Sequence, residues 1–302
     1  MEIPRSRPID QKRIQGLYDR AGTPLESADI WYLHSTLCQC FLPYKDPKTD
    51  TWERRNGDFS IAIVAGHVRD PRSDTLTRRV GLPYGPKPRL FQAYVCMRAI
   101  KSQSSTVEVQ NSMSDMMHAL GLSVTGGKNG TIPMFKEQII RYASCHFTLI
   151  GPGPKGNYRH IKTSPVQRFD VFFPTNPQEQ SLWPSEIQLT SDYYESLRDH
   201  AVPFDFRALK PIQAKPRAID IYLWLTQRLC RIDERKPVLL KWRELYQMFG
   251  GELVFRNFKI KFPQDLMTAR MSYSAARIEE TEEGFIFRAS PPPIPRILAA
   301  VK

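Results

Sequence analysis

No stretch of this chain has the length and apolarity of a membrane helix, and Met1-Glu2-Ile3-Pro4 does not open a signal peptide. Cysteine is scarce. The five thiols (Cys38, Cys40, Cys96, Cys145, Cys230) are scattered and odd in number, which argues against a disulfide framework and fits reduced thiols in a cytoplasm. His34, Cys38 and Cys40 lack the Cys-x-x-Cys spacing of a zinc site and no second pair follows, so no metal is expected there. Residues 151–156 contain glycines and a lysine but no Gly-Lys-Ser/Thr, and their two prolines remove amides that a phosphate cradle would use. There is no His-apolar-His set for a nicking endonuclease and no serine or cysteine triad. We therefore expect no catalytic residue, no cofactor and no enzyme activity. Acid is also in short supply: 31 Asp and Glu face 43 Lys and Arg, a formal charge of +12. A chain this basic usually meets a polyanion, although a basic housekeeping protein has the same balance.

What is present is organised around residues 215–288. Lys215-Pro216-Arg217 opens an apolar run (Ile219, Ile221, Tyr222, Leu223, Trp224, Leu225, Leu229) with hydrophobic side chains on nearly every side, the mark of a core helix. Val238-Leu239-Leu240 reads as a short strand and Trp242 to Phe249 as a second helix stopped by Gly250-Gly251. Phe255, Phe258, Phe262 and Leu266 recur at helical spacing with cations between them. Pro263 implies a start at Phe262 or a kink. Residues 276–278 and 285–287 flank a glutamate-rich turn as a β-hairpin. Helix, strand, helix, basic helix, hairpin is the order of a winged helix, whose last helix enters the DNA major groove.

The same order occurs earlier. Lys87-Pro88-Arg89 opens an apolar helix, residues 107–109 make a strand, and 113–120 a helix ended by Gly121. A basic helix covers about 131–144, and 146–150 with 159–161 flank a wing with its tip at 151–156. Lys215 follows Lys87 by 128 positions and Gly250 follows Gly121 by 129. One module used twice explains both. The expected fold is thus α+β with two tandem winged-helix domains.

Around these modules, residues 1–25 read as a basic flexible arm, disordered or touching DNA. Ile30, Leu33, Leu37 and Phe41 mark a helix, and Phe59, Ile61 and Ile63 a strand. Thr190 or Ser191 caps a helix over 192–199. The expected division is 26–173 for the first domain, 174–185 for a Pro-rich linker, 186–290 for the second domain and 291–302 for a tail.

Candidate DNA contacts follow from charge and position. In the first module they are Lys128, Asn129, Thr131, Lys136, Gln138 and Arg141, with Lys155, Asn157, Tyr158, Arg159 and Lys162 on the wing. In the second they are Arg256, Asn257, Lys259, Lys261, Gln264 and Arg270, with Lys215 and Arg217 near a helix start. Arginine reads guanine, Asn and Gln read adenine, and Lys more often sits on phosphate. A solvated charged surface is the alternative for each. Glu279, Glu280, Glu282 and Glu283 would keep the second wing from phosphate.

At Leu82-Pro83-Tyr84-Gly85 and Pro88-Arg89-Leu90 the chain resembles plasmid-encoded RepA-type replication initiators. Leu42-Pro43, Arg55-Asn56-Gly57, Thr125-Gly126-Gly127 with Gly130-Thr131, and Phe249-Gly250 are similar to further motifs in order. So is the block Val202-Pro203, Asp205, 207–210 and 218–222 with Trp224-Leu225-Thr226. The resemblance implies a protein that binds direct repeats (iterons) in double-stranded origin DNA and recruits the host initiator and replicative helicase. It further implies autorepression by a homodimer; no membrane partner is expected, since no apolar run reaches the length of a membrane helix. The alternatives are a repressor dimer on an inverted repeat, and a nicking or strand-transfer enzyme using a tyrosine.

Overall fold

The computed structural model describes residues 23–68, 77–110, 112–127, 129–169 and 186–295. The fold is α+β, built from short sheets and helices in two compact units, residues 32–201 and residues 1–31 with 202–302. Most of the expected arm, of the linker and of the last tail residues lies outside the described residues.

β1 (Ile30–His34) leads into the first unit. The sequence pattern predicts a helix here. Every residue of Ile30-Trp31-Tyr32-Leu33-His34 is buried, so neither a period of 3.6 nor of 2 is visible in the run. β2 (Thr51–Asn56) and β3 (Phe59–Val64) form a hairpin, and β4 (His67–Val68) pairs with β5 (Arg78–Arg79). α1 (Pro86–Ser102) starts with proline in its first turn, where no amide is missed, and ends at Gln103 in a left-handed conformation. It is buried nearly all round. Its Arg89 guanidinium donates to the carbonyls of Leu42, Pro43 and Gly85 at 2.5, 3.1 and 2.6 Å. The Leu42-Pro43, Gly85 and Arg89 motifs are thus one buried lock of the fold.

β6 (Thr106–Glu108), α2 (Met113–Ala119) and α3 (Thr131–Ser144) follow, then β7 (His146–Pro152), β8 (Tyr158–Thr163), β9 (Val166–Phe169), β10 (Glu186–Leu189) and α4 (Ser191–His200). The pairing enlarges the setting of the expected hairpin. β7 and β8 do form a hairpin, but they complete a four-stranded sheet in the order β2-β3-β7-β8. The strands that pair with β6 are β9 and β10, in the order β6-β10-β9. The domain boundary moves for the same reason: β10 and α4 belong to the first unit, so the division falls at residue 201 instead of within 174–185. Thr190 is the residue before α4, yet its hydroxyl bonds Thr163 and makes no cap.

β11 (Ala201–Asp205) carries the chain into the second unit. α5 (Pro216–Arg228), β12 (Val238–Lys241), α6 (Trp242–Phe249), α7 (Phe255–Met271), β13 (Ile278–Thr281) and β14 (Gly284–Phe287) appear in the order the sequence indicates. The sheet runs β12-β14-β13, the same first-third-second order as β6-β10-β9. Gly284, at a φ of 156°, lies so close to β12 that a Cβ would meet the Leu240 carbonyl. The tail begins docked: Ile294 is buried and the Tyr273 hydroxyl donates to the Pro291 carbonyl.

His34 illustrates how the first unit is closed. The Thr36 amide donates to Nδ1 at 3.1 Å, which places the proton on Nε2, 2.9 Å from Ser196 Oγ. Both ring nitrogens are therefore occupied within the fold. Burial, with His200 nearby, pushes the His34 pKa down to about 3. An unfolded His34 takes up a proton below about pH 6.5, whereas the folded one does so only near 3, so stability is lost as pH falls through that window. His34→Gln keeps an acceptor and a donor but cannot titrate. The stability difference between pH 7 and pH 5, measured by urea unfolding, should shrink by about 2 kcal/mol in that variant. Parallel pH profiles for the two proteins would contradict the assignment.

Candidate nucleic-acid interface

α7 is held by its aromatic side. Phe258, Phe262, Leu266 and Ala269 are buried, and Phe262 packs on Phe249 and Phe285 with ring centroids at 5.6 and 5.8 Å. The side chain of Trp242 meets Phe262 and Phe285 edge-on, and its indole N–H donates to the Glu282 carbonyl. These contacts fix the rotation of α7. The Phe258 and Phe262 rings are core, as their spacing indicates, while Phe255 is half-buried against Tyr246.

The opposite arc is then determined. At about 100° per residue, Arg256, Asn257, Ile260, Gln264, Met267 and Met271 point away from the buried face. Lys259 and Arg270 border that arc on one side and Lys261 on the other, and all nine side chains are exposed. The Lys259 ammonium lies 5.1 Å over the Trp242 ring, a cation–π contact on a side chain that stays exposed. Asp265, the one acid of α7, is spent: Arg217 donates to it at 3.0 Å and to the Phe249 carbonyl at 2.9 Å. Arg217 thus braces α5 against α7 and α6, and Lys215 reaches Thr268 Oγ1 at 3.3 Å. Both belong to the scaffold of this helix. Pro263 sits inside α7 and does not start it. Its missing amide orphans the carbonyl of Lys259, which lies on the exposed side where solvent can satisfy it.

The wing glutamates are partly neutralised. Glu283 pairs with Lys241 at 2.9 Å and Glu279 with Arg288 at 3.0 Å, exposed pairs of small energetic value.

In the first unit the expected groove-facing set is broken up. Gln138 is buried, and its Oε1 accepts the Tyr84 amide at 2.8 Å. The side chain of Arg141 donates to Glu137, Asp46 and the Leu82 carbonyl at 2.9, 3.2 and 3.2 Å and lies over the Tyr84 ring. Gly81 leaves it room, since a Cβ there would stand 2.8 Å from the guanidinium. Thr131 Oγ1 donates to the Ser123 carbonyl and accepts the Thr125 amide, closing the glycine turn. Asn129 is exposed, Lys136 is half-buried, and Lys128 lies outside the described residues. α3 therefore presents no basic outer face.

Lys155, Asn157, Tyr158, Arg159 and Lys162 are all exposed on the β7–β8 hairpin. Strand alternation puts Tyr158, His160 and Lys162 on one side. The ladder sets His160 in one row with Ile150, Ser60 and Arg55, and Lys162 in the next with Thr148, Ala62 and Glu53, so Arg55 adds a cation and Glu53 an acid to a sheet face that charge counting along the sequence did not single out. Those rows are non-local and only the register reveals them.

Arg141→Ala should lower the stability of the first unit by about 1.5–3 kcal/mol, the cost of charge-assisted hydrogen bonds lost from a half-buried site. Binding to DNA, measured where the variant is folded, should keep its base preferences. Loss of preference at one end of the DNA site with unchanged stability would return Arg141 to a reading role.

The family described as plasmid encoded RepA protein matches residues 82–244, from the turn before α1 into α6. A solved structure titled as domain 2 and domain 3 of RctB, a selenomethionine derivative, is similar in fold, with a TM-score of 0.50 at 10% identity, over 83% of this chain and 96% of that one. No curated protein matches. With more than half of its length matched, the chain belongs to the family of plasmid-encoded RepA proteins.

Proposed function

We propose that this protein is a sequence-specific, non-enzymatic initiator of plasmid replication that binds direct repeats in double-stranded origin DNA through two tandem winged-helix units. The observation that carries the reading is the outer face of α7, with Arg256, Asn257 and Gln264 at its centre and Lys259, Lys261 and Arg270 at its borders. Arg, Asn and Gln are the residues that pair bidentately with base edges, and flanking cations suit the phosphates on either side of a major groove. The family match ends at residue 244, before α7, so this role rests on the helix itself.

Two further observations support the tandem reading. The order helix, strand, helix, helix, strand, strand recurs in α1-β6-α2-α3-β9-β10 and α5-β12-α6-α7-β13-β14, and both sheets have the first-third-second strand order. Within the first unit β7 and β8 are inserted between the last helix and the two-stranded wing. Their exposed cations, Lys155, Arg159 and Lys162, replace α3 as that unit's phosphate contacts. Recruitment of the host initiator and replicative helicase, and autorepression by a dimer, belong to the same proposal on family resemblance.

Neutralising about six to eight phosphates gives a log–log slope of affinity against salt of roughly −5 to −7. Lys261→Ala should lessen that slope by about one and weaken all sequences alike, whereas Arg256→Ala should relax preference at one end of the repeat by about 1–3 kcal/mol. Footprinting and base-substitution scans on the upstream region of its own gene read both effects. A slope near zero would remove the basic surface as the DNA surface. A requirement for a two-fold symmetric site would turn the protein into a repressor, and magnesium-dependent nicking of supercoiled origin DNA would make it an enzyme.

A further inference from the structure

The outward face of α7 is not purely polar. Among the described residues, Ile260 and Met267 are 60% and 69% exposed, and Met271 follows one turn later at 39%. Large apolar side chains at such exposure gain nothing from water, and here they stand in one line that starts between Arg256-Asn257 and Gln264 and runs past Gln264 along the same face. Their rotation is not free to turn them inward, because Phe258, Phe262 and Leu266 already occupy the buried side.

Charge decides what covers them. Lys259 and Arg270 border the line on one side and Lys261 on the other, while Asp265 is neutralised by Arg217 at 3.0 Å. A second copy of α7 laid on this face would bring like charges together. A polyanion satisfies both borders at once. Within a DNA major groove only one base edge is apolar, the C5-methyl of thymine. We propose that Ile260 and Met267 are specificity-determining residues that pack on thymine methyl groups, selecting A·T pairs on either side of the base pair read by Gln264, with Arg256 and Asn257 reading beyond Ile260. The inference rests on α7 being the DNA-reading helix and adds which bases its apolar residues select.

The test replaces each thymine of the footprinted origin repeat by uracil in turn, which removes the methyl group and leaves the hydrogen-bonding edge intact. The full chain should bind about fourfold more weakly at one or two of these positions, the fold-change of about 0.8 kcal/mol for one buried methylene-sized group. Ile260→Ala should bind thymine and uracil equally at one such position, and Met267→Ala at another, while Arg256→Ala keeps the discrimination at both. Indifference of the unaltered protein to uracil throughout, with Arg256→Ala still weakening DNA binding, would overturn the methyl contact and leave α7 as the reading helix. If neither Arg256→Ala nor Lys261→Ala changes DNA binding, the reading of α7 itself fails. Loss of self-association in Ile260→Ala, with no change on DNA, would make the face a protein surface and also overturn the inference.

Discussion

The burial of one aromatic face decides most of what the second unit presents. Phe258, Phe262 and Leu266 leave water together, against Phe249 and Phe285, and three such side chains are worth several kcal/mol of transfer free energy. A helix with that much apolar surface on one side has a single rotation available. Every cation and amide of α7 then lies on a side chosen by the phenylalanines, and the Arg217–Asp265 pair holds the helix while removing its acid from the outer charge balance. Stability is thus set by one face of these seventeen residues, and the recognition we propose by the opposite one.

The two units spend equivalent positions differently. In the second, arginine at the inner border of the third helix position is supplied from α5 and leaves the outer face of α7 intact. In the first, Arg141 comes from α3 itself and is drawn inward by Asp46 and the Leu82 carbonyl, with Glu137 beside it. An outer face that contains its own ion pair has little charge left for phosphate. The β7–β8 hairpin carries exposed cations, on a sheet shared with β2 and β3. A shared element order therefore does not require a shared distribution of charge.

Local chemistry was legible in the sequence and non-local pairing was not. The sequence of residues 215–288 announces its helices through the Lys215-Pro216 start, the Gly250 stop and the phenylalanine period, and each is found in place. Gln138 was readable in principle, since it lies on the same helical face as Phe135 and Tyr142, and its burial follows from that period. The fate of Arg141 was not, because Asp46 stands 95 residues away. Alternation along β7 and β8 predicts a hairpin correctly but cannot say which strand lies beside it, so the four-stranded sheet with β2 and β3 is not foreseen. The family motifs likewise mark the fold: Leu42-Pro43 and Arg89 meet in one lock, and the Tyr222 hydroxyl donates to the Asp205 carbonyl while Arg207 pairs with the Asp205 carboxylate.

The central claim, that the outer face of α7 lies in the major groove of the origin repeat, can be tested by placing a cleaving group on it. Cys230 is exposed and the other four thiols are buried, so Cys230→Ser gives a background in which Gln264→Cys alone carries a tethered iron chelate. On origin DNA the account predicts hydroxyl-radical cleavage confined to a few neighbouring nucleotides at one end of each repeat, on both strands across one major groove. Cleavage no stronger than that of the free chelate, or spread evenly along the repeat, would contradict it.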